Sequence, residues 1–247
     1  MQGKDIIIFD LDGTLAKSKS PFTDTMTGLF SSLLAHKKVA VISGANISQF
    51  KKQFLSVLPP DPVLLENLYI MPASGSSLYT WRGDWQEIYS EKFSEEEKNK
   101  VLSVLSVETK VLGSDVYDSK YGERIEDRGS QITFSALGQS APPEIKAPWD
   151  PDHLKRDQVA SRLRLSLPEF EVRVGGMTSI DITRHGIDKE YGIRKLSEHI
   201  KISFDRMLFV GDALFPGGND APVKNLGVEC LETSGPLETE KIIASWL

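Results

Sequence analysis

The chain has 247 residues, enough for one large domain or for a core domain that carries a smaller one. No apolar run approaches the ~20 residues that span a bilayer, and the N-terminus lacks a signal-peptide cleavage pattern, so we expect a cytoplasmic protein without membrane partners. The net charge of -6 argues against nucleic-acid binding, which requires clustered Lys and Arg to neutralise phosphates.

The N-terminal third alternates between buried strands and helices. Residues 5–9 predict a strand, because Asp5 is followed by the unbroken apolar run Ile6 to Phe9, which is typical of a strand that is buried on both faces of a parallel sheet. Helical spacing of apolar residues predicts a helix over 23–37, and a second apolar strand follows at 39–42. A helix at 46–58 and a strand near 68–71 continue a βαβ pattern, which indicates an α/β fold.

The pattern changes in the middle of the chain and returns near its end. The middle segment predicts a hairpin, four further strands and two long helices, at 78–81, 85–89, 94–107, 124–127, 131–135, 151–167, 171–175 and 179–183. The C-terminal segment predicts helices and strands at 188–199, 207–210, 221–226 and 228–231. We therefore predict a doubly wound parallel-sheet core from 1–76 and 186–247, interrupted by an inserted α+β domain at 77–185.

The strongest chemical signal follows the first strand, where Asp10 and Asp12 precede the Gly13 turn. Open parallel sheets bind ligands at the carboxyl ends of their strands. Two carboxylates at that place need a cation or a proton between them, and their oxygens suit Mg²⁺. An ordinary Asp-Gly turn is the alternative interpretation.

Weaker signals follow later elements. Ser43 and Gly44 come after the second strand, where a hydroxyl and backbone N–H groups at a helix start suit a phosphate oxygen, although Ser is also a common helix cap. Lys189 begins a predicted helix, a position that is otherwise typical of a solvated lysine. Asp212 follows an apolar strand as a candidate metal ligand, and Asp220 lies in the glycine-rich loop after it. Because all these residues follow parallel strands, we expect one site.

In these motifs the chain resembles the haloacid dehalogenase superfamily, over about 1–76 and 186–247. The phosphotransferases of that superfamily use an Asp-x-Asp nucleophile motif, a Ser or Thr, a Lys and a Gly-Asp metal motif. The resemblance implies Asp10, Asp12, Ser43 and Lys189 as catalytic residues and Asp10, Asp12, Asp212 and Asp220 around the metal, with Asp12 contributing through its backbone carbonyl. The insertion then corresponds to the large α+β cap of the superfamily.

A narrower resemblance links the chain to the eukaryotic-type phosphomannomutase branch, through the segments 124–128 and 175–181 in the insertion and 186–189 and 215–220 in the core. That resemblance places the substrate-binding residues of the cap on Arg128, Ser179 and Asp181. The same resemblance implies two further substrate-binding residues in the core, Lys19 and Gly44. Three arginines of that branch are not kept, since their positions hold Lys19, Gln139 and Tyr121.

The resemblance implies an enzyme in which Asp10 attacks a sugar phosphate and Asp12 acts as general acid and base. Because two cap arginines are replaced, we expect hydrolysis of hexose phosphates to exceed exchange between the 1- and 6-phosphates, with phosphomannomutase activity as the alternative. A receiver-type phosphoacceptor and a non-catalytic sugar-phosphate binding protein remain as rivals. The sequence leaves the oligomeric state open, with a homodimer as one option.

Overall fold

The computed structural model describes residues 3–112 and 119–247. The chain forms two compact units. The core unit comprises Met1–Ser90 and Ile187–Leu247, and the inserted unit comprises Glu91–Gly186.

Strands and helices alternate along the core unit, whereas the inserted unit is mostly antiparallel. The strands are β1 (Ile6–Asp10), β2 (Lys38–Ile42), β3 (Leu68–Met71), β4 (Ser77–Trp81), β5 (Trp85–Ser90), β6 (Ile125–Asp127), β7 (Gln131–Ser135), β8 (Phe170–Gly175), β9 (Ser179–Arg184), β10 (Met207–Gly211) and β11 (Glu229–Glu232). The α-helices are α1 (Asp24–Leu34), α2 (Ile47–Phe50), α3 (Pro62–Leu65), α4 (Glu95–Glu108), α5 (Pro143–Lys146), α6 (Leu154–Ser166), α7 (Lys189–Ile200) and α8 (Pro236–Ala244). A π-helix (Lys51–Leu55) follows α2 directly.

The core sheet has the strand order β11-β10-β1-β2-β3-β4-β5, and β1 lies between β10 and β2 in parallel register. Every residue of β1 is buried. Ile7 and Phe9 belong to one hydrophobic cluster and Ile6 and Ile8 to another, as the alternation of side chains along a strand requires. Both faces of the sheet are therefore covered, and the predicted doubly wound α/β class is confirmed.

The predicted hairpin forms as β4 and β5, but it belongs to the core sheet. β4 pairs antiparallel with β3, and β5 pairs with β4 at the sheet edge. The insertion therefore begins at Glu91 and not at residue 77 as predicted. Strand alternation and the turn at Gly83 specify a hairpin, but they do not specify which sheet the hairpin joins.

The inserted unit has a four-stranded antiparallel sheet in the order β6-β7-β9-β8. Apolar residues of α4 and α6, such as Leu105 and Leu163, share one buried cluster with Ile132 and Ile182 of that sheet. The insertion is thus a separate α+β unit, as predicted.

Several helices differ from the prediction. The helix predicted at 46–58 begins at Ile47, because the Asn46 side chain caps it, and changes to a π-helix at Lys51. Residues 221–226 form a 3₁₀ helix. The sequence pattern did not identify α8, although Pro at its first turn is a known start signal. No helix among the described residues is both long and apolar enough to cross a membrane.

Candidate active site

Asp10 and Lys189 form a buried ion pair at the carboxyl end of the parallel strands. Asp10 is the last residue of β1 and is 3% exposed; Lys189 is the first residue of α7 and is 1% exposed. Lys189 Nζ donates to Oδ1 of Asp10 and also to Oδ1 of Asp220. The other oxygen of Asp220 accepts from the backbone N–H of Ala213 at 3.0 Å. Lys189, which the sequence alone did not distinguish from a surface lysine, is therefore buried among carboxylates.

Asp212 follows β10 and faces the Gly13 turn. Its Oδ1 accepts from Thr14 Oγ1 at 3.2 Å, and Thr14 is fully buried. Gly13 has a φ of +91°, and a Cβ atom there would lie 2.4 Å from Asp212 Oδ2. Only glycine satisfies both constraints, so the Gly13 turn lets Asp212 approach the end of β1.

Three carboxylates could hold a metal ion here. One oxygen each from Asp10, Asp212 and Asp220 lies within 4.8 Å of the others. Such a set of hard oxygen donors fits a divalent cation of the Mg²⁺ type. Asp220 already accepts hydrogen bonds on both oxygens, which suits it to supporting the site, whereas Asp10 and Asp212 are the better candidate ligands.

The charges of this cluster are unbalanced. Burial raises the pKa of Asp10 to about 7, against the opposing effect of the Lys189 charge. Burial, with the Asp220 charge next, also raises the pKa of Asp212. Burial disfavours the Lys189 cation, but the Asp10 and Asp220 carboxylates outweigh it and raise the lysine pKa. One ammonium group faces three carboxyl groups, so a bound divalent cation would stabilise their ionised forms.

Asp12 lies in a separate hydrogen-bond network, and its carboxylate is not part of the cluster. Its Oδ1 accepts from the backbone N–H of Lys19 at 2.8 Å and from Gln53 Nε2 at 2.9 Å. Lys19 has a φ of +58°, which is uncommon for a residue with a side chain. Lys19, a predicted substrate-binding residue, thus reaches Asp12 through its backbone. A metal-binding role for Asp12 rests on its carbonyl oxygen.

Ser43 and Gly44 lie between β2 and α2, and the structure corrects their predicted place at a helix start. The helix begins three residues after Gly44, and Asn46 is its cap. Ser43 Oγ accepts from the backbone N–H of Ala45 at 3.2 Å, and the Ser43 carbonyl accepts from Ser74 N at 2.8 Å. Ser43 is buried at the end of β2, the strand next to β1 in the sheet.

The predicted cap residues Arg128, Ser179 and Asp181 lie in the inserted unit. Asp181 Oδ1 accepts from Thr133 Oγ1 at 2.7 Å, and a Cβ atom at Gly175 would lie 2.9 Å from Asp181 Oδ2. Ser179 begins β9, opposite Ser135 of β7. Asp181 therefore has a fixed orientation that depends on a neighbouring hydroxyl and on a glycine.

Arg128 and Gln139 determine how much positive charge the inserted unit offers to a phosphate group. Arg128 Nη2 donates to Glu126 at 2.8 Å. Gln139, where the resemblance leads us to expect an arginine, directs its amide at the carbonyl oxygens of Arg124 (3.4 Å) and Thr133 (3.3 Å). The substituted position thus supplies hydrogen bonds to backbone in place of a positive charge.

Two residues that contact the predicted site residues were not identified from the sequence. Thr14 follows the Gly13 turn directly and donates to Asp212, but the sequence pattern gave it no role. Gln53 lies 41 positions from Asp12, to which it donates. The spacing of Gln49 and Gln53, one helical turn apart, was the only available signal for the second.

Comparison with known proteins identifies the family. The sequence model described as eukaryotic phosphomannomutase matches residues 26–242. The chain belongs to this family. Phosphomannomutase 2 of Dictyostelium discoideum is 30% identical over 229 residues, covering 89% of this chain and 86% of the relative. Phosphomannomutase of Encephalitozoon cuniculi is 27% identical over 234 residues, covering 90% and 85%.

A solved structure supports the fold of this family member. A haloacid dehalogenase-like hydrolase from Bacteroides thetaiotaomicron matches with a TM-score of 0.66 at 15% identity, covering 99% of this chain and 100% of the other. The expected resemblance to the haloacid dehalogenase superfamily and its phosphomannomutase branch is confirmed. The chain is an enzyme of the phosphatase or mutase class, and its family implies a divalent metal.

Proposed function

We propose that this enzyme transfers the phosphoryl group of hexose phosphates through an aspartyl-phosphate at Asp10, with a sugar hydroxyl as the principal acceptor. The observation that carries the proposal is the set of Asp10, Lys189 and Asp212, of which Asp10 and Lys189 are buried and Asp212 is half-buried, in a chain that the phosphomannomutase family model matches over 26–242. The substrate is then a mannose or glucose phosphate. This reverses the preference for hydrolysis that the sequence suggested.

Asp10 is the nucleophile of the proposed reaction. Its carboxylate oxygen forms a bond to phosphorus, and the bond from phosphorus to the ester oxygen breaks. Lys189, which donates to Asp10, lies where it can also neutralise charge that develops on the phosphoryl oxygens. A Mg²⁺ ion held by Asp10 and Asp212 would supply further charge neutralisation. Ser43, buried at the end of the adjacent strand, is the proposed hydroxyl donor to the same phosphoryl group.

Asp12 is the general acid in the first half-reaction and the general base in the second. The leaving ester oxygen takes the proton from the Asp12 carboxyl group, and Asp12 becomes a carboxylate. In the second half-reaction this carboxylate takes the proton of the incoming hydroxyl group, whose oxygen attacks phosphorus and releases Asp10. The incoming hydroxyl belongs to a sugar phosphate in the mutase reaction and to water in hydrolysis.

The inserted unit supplies substrate recognition in this proposal. Arg128 offers a guanidinium group for the distal phosphate, and Ser179 and Asp181 offer polar groups for the sugar. Hydrolysis is the second candidate reaction, because Gln139 and Tyr121 replace two arginines. Weaker binding of a sugar bisphosphate intermediate would let it dissociate, and water would then act as the acceptor of the phosphoryl group.

One assay separates the two reactions. The enzyme receives mannose 1-phosphate or glucose 1-phosphate with Mg²⁺ and a catalytic amount of hexose 1,6-bisphosphate, and both the 6-phosphate and free phosphate are followed. We expect the 6-phosphate to form faster. Faster release of free phosphate would establish the hydrolase instead, and no product from any hexose phosphate would refute both.

Gln139→Arg is the informative variant in the same assay. Restoring the charge should raise the ratio of 6-phosphate to free phosphate, since a charge-assisted hydrogen bond would hold the bisphosphate longer. Gln139→Met, which has similar size and no charge, is the matched control and should not raise that ratio.

A further inference from the structure

Gln53 holds one oxygen of Asp12. Its side chain is 2% exposed, and its Nε2 donates both to Asp12 Oδ1 at 2.9 Å and to the backbone carbonyl of Ser20 at 3.2 Å. Both partners are acceptors, so the amide nitrogen, not the oxygen, must face them. The orientation of the Gln53 amide therefore follows from its surroundings.

The helical segment that carries Gln53 is anchored in the core. Asn46 caps its first turn, and Phe50 and Phe54 are fully buried in the hydrophobic cluster on one face of the core sheet. Gln53 lies within the π-helix that extends this segment. π-Helical turns occur frequently at functional sites, where they change the direction of a side chain. Gln53 is thus a fixed donor and not a mobile surface amide.

Packing alone does not account for an amide at this position. Gln53 Oε1 is buried, and it accepts no hydrogen bond from any residue that the structure describes. Burying such an oxygen is unfavourable, so an apolar side chain of the same length would fit the helix better. What the amide provides, and an apolar side chain would not, is the N–H group directed at Asp12.

Two N–H donors occupy Oδ1 of Asp12, namely Gln53 Nε2 and the backbone of Lys19. Within 3–112 and 119–247, the hydrogen-bond partner of the other oxygen, Oδ2, is the Gln49 amide at 3.5 Å, the outer limit of a hydrogen bond. An oxygen that accepts two N–H bonds is a poor place for a proton, whereas Oδ2 can carry one.

We propose that Gln53 is a positioning residue that orients the Asp12 carboxyl group so that Oδ2 gives and takes the proton during phosphoryl transfer. This inference rests on the proposed function, because it requires Asp12 to act as general acid and base. Gln53 does not itself touch the reacting atoms in this scheme. Its loss should slow the steps that need a proton from Asp12 more than the steps that do not.

The test compares two phosphate donors in each variant. With glucose 1,6-bisphosphate the leaving group is a sugar alkoxide, which needs the proton from Asp12; with p-nitrophenyl phosphate the leaving group is a weak base and needs none. The value of kcat/KM for each donor reports phosphorylation of Asp10. The ratio of the two values does not depend on the fraction of folded enzyme, so partial unfolding of a variant does not obscure the result.

Gln53→Met keeps the length of the side chain and removes the donor. We expect it to lower kcat/KM for glucose 1,6-bisphosphate by ~10-fold or more, and that for p-nitrophenyl phosphate by less than ~3-fold, part of the range of general acid catalysis. Gln53→Glu, which places a second carboxyl group against Oδ1, should shift the ratio in the same direction. Lys52→Met, on the exposed side of the same π-helix, should leave the ratio unchanged.

The outcomes distinguish a failure of this inference from a failure of the proposed function. Equal losses for both donors in both Gln53 variants would show that Gln53 only supports the fold, and would overturn this inference while the proposed function stands. A wild-type enzyme that shows no Asp10-dependent reaction with glucose 1,6-bisphosphate would refute the proposed function, and this inference with it.

Discussion

The Nζ atom of Lys189 donates a hydrogen bond to Oδ1 of Asp10, although 179 positions separate the two residues in the chain. The pair joins the first turn of α7 to the end of β1 and is almost fully buried. A second bond to Asp220 ties the loop after β10 to the same ammonium group. The lysine therefore holds together three segments that are distant in sequence.

Lys189→Met should destabilise the protein by roughly 3–5 kcal/mol, because removing one partner leaves buried carboxylates without their cation. Urea unfolding in EDTA measures the effect, and added Mg²⁺ should restore part of the stability. Lys195→Met, at a more exposed position on the same helix, is the control and should change stability little. Equal stability of the two variants would contradict a central role for the Lys189 network.

Asp10→Asn should abolish turnover and leave the fold intact, since the amide has nearly the same shape but does not form an acyl phosphate. The measurement combines an activity assay with detection of phosphorylated protein after acid quenching. Asp205→Asn, an exposed position, is the control. A folded Asp10→Asn enzyme with wild-type activity would remove Asp10 from the mechanism.

Removal of divalent metal by EDTA should abolish the catalytic activity, and added Mg²⁺ should restore it. The reason is the cluster of Asp10, Asp212 and Asp220, whose oxygens suit a hard cation. Asp212→Asn should raise the Mg²⁺ concentration needed for half-maximal activity by at least ~10-fold, since a charged ligand is lost. Full activity after exhaustive dialysis against EDTA would exclude the metal requirement.

Thr133→Val should weaken binding of the sugar phosphate by ~3–10-fold, the scale of one hydrogen bond, because the hydroxyl that orients Asp181 is lost while the shape is kept. We expect the change in KM and not in kcat. Thr133→Ser retains the hydroxyl and should behave like wild type. An unchanged KM in the valine variant would show that Asp181 does not depend on Thr133, or does not bind the sugar.

Low pH should lower the stability of the inserted unit, because Glu97 becomes protonated. The Arg184 side chain, then the Ser94 backbone N–H, lower the pKa of Glu97 from 4.5 to about 2. Because the folded state favours the carboxylate, the stabilisation is full above about pH 4.5 and is lost as the pH falls towards about 2. The difference in unfolding midpoint between wild type and Glu97→Gln should therefore shrink over that interval.

Glu96→Gln, an exposed position in the same helical turn, is the control for this pH series. Its difference from wild type should stay small throughout. A Glu97→Gln difference that does not vary with pH would mean that the ion pair with Arg184 does not contribute to stability.

The sequence by itself determined the class of the fold and the location of the candidate site. An unbroken apolar run such as Ile6 to Phe9, rich in β-branched residues and followed by a glycine turn, favours a strand buried on both faces, and the carboxyl ends of such parallel strands lie at one edge of the sheet. Local rules fix these features, because they depend on neighbours along the chain. The same rules predicted the hairpin of β4 and β5.

Only the tertiary structure decided which sheet that hairpin joins, since its pattern of alternation is the same for either partner. It also decided that Lys189 is buried and that Gln53 reaches Asp12, because both contacts depend on how distant segments pack. A lysine at a helix start and a glutamine inside a helix are ordinary surface patterns. Their chemistry arises from long-range packing, which places their polar atoms next to carboxylates that the sequence places elsewhere.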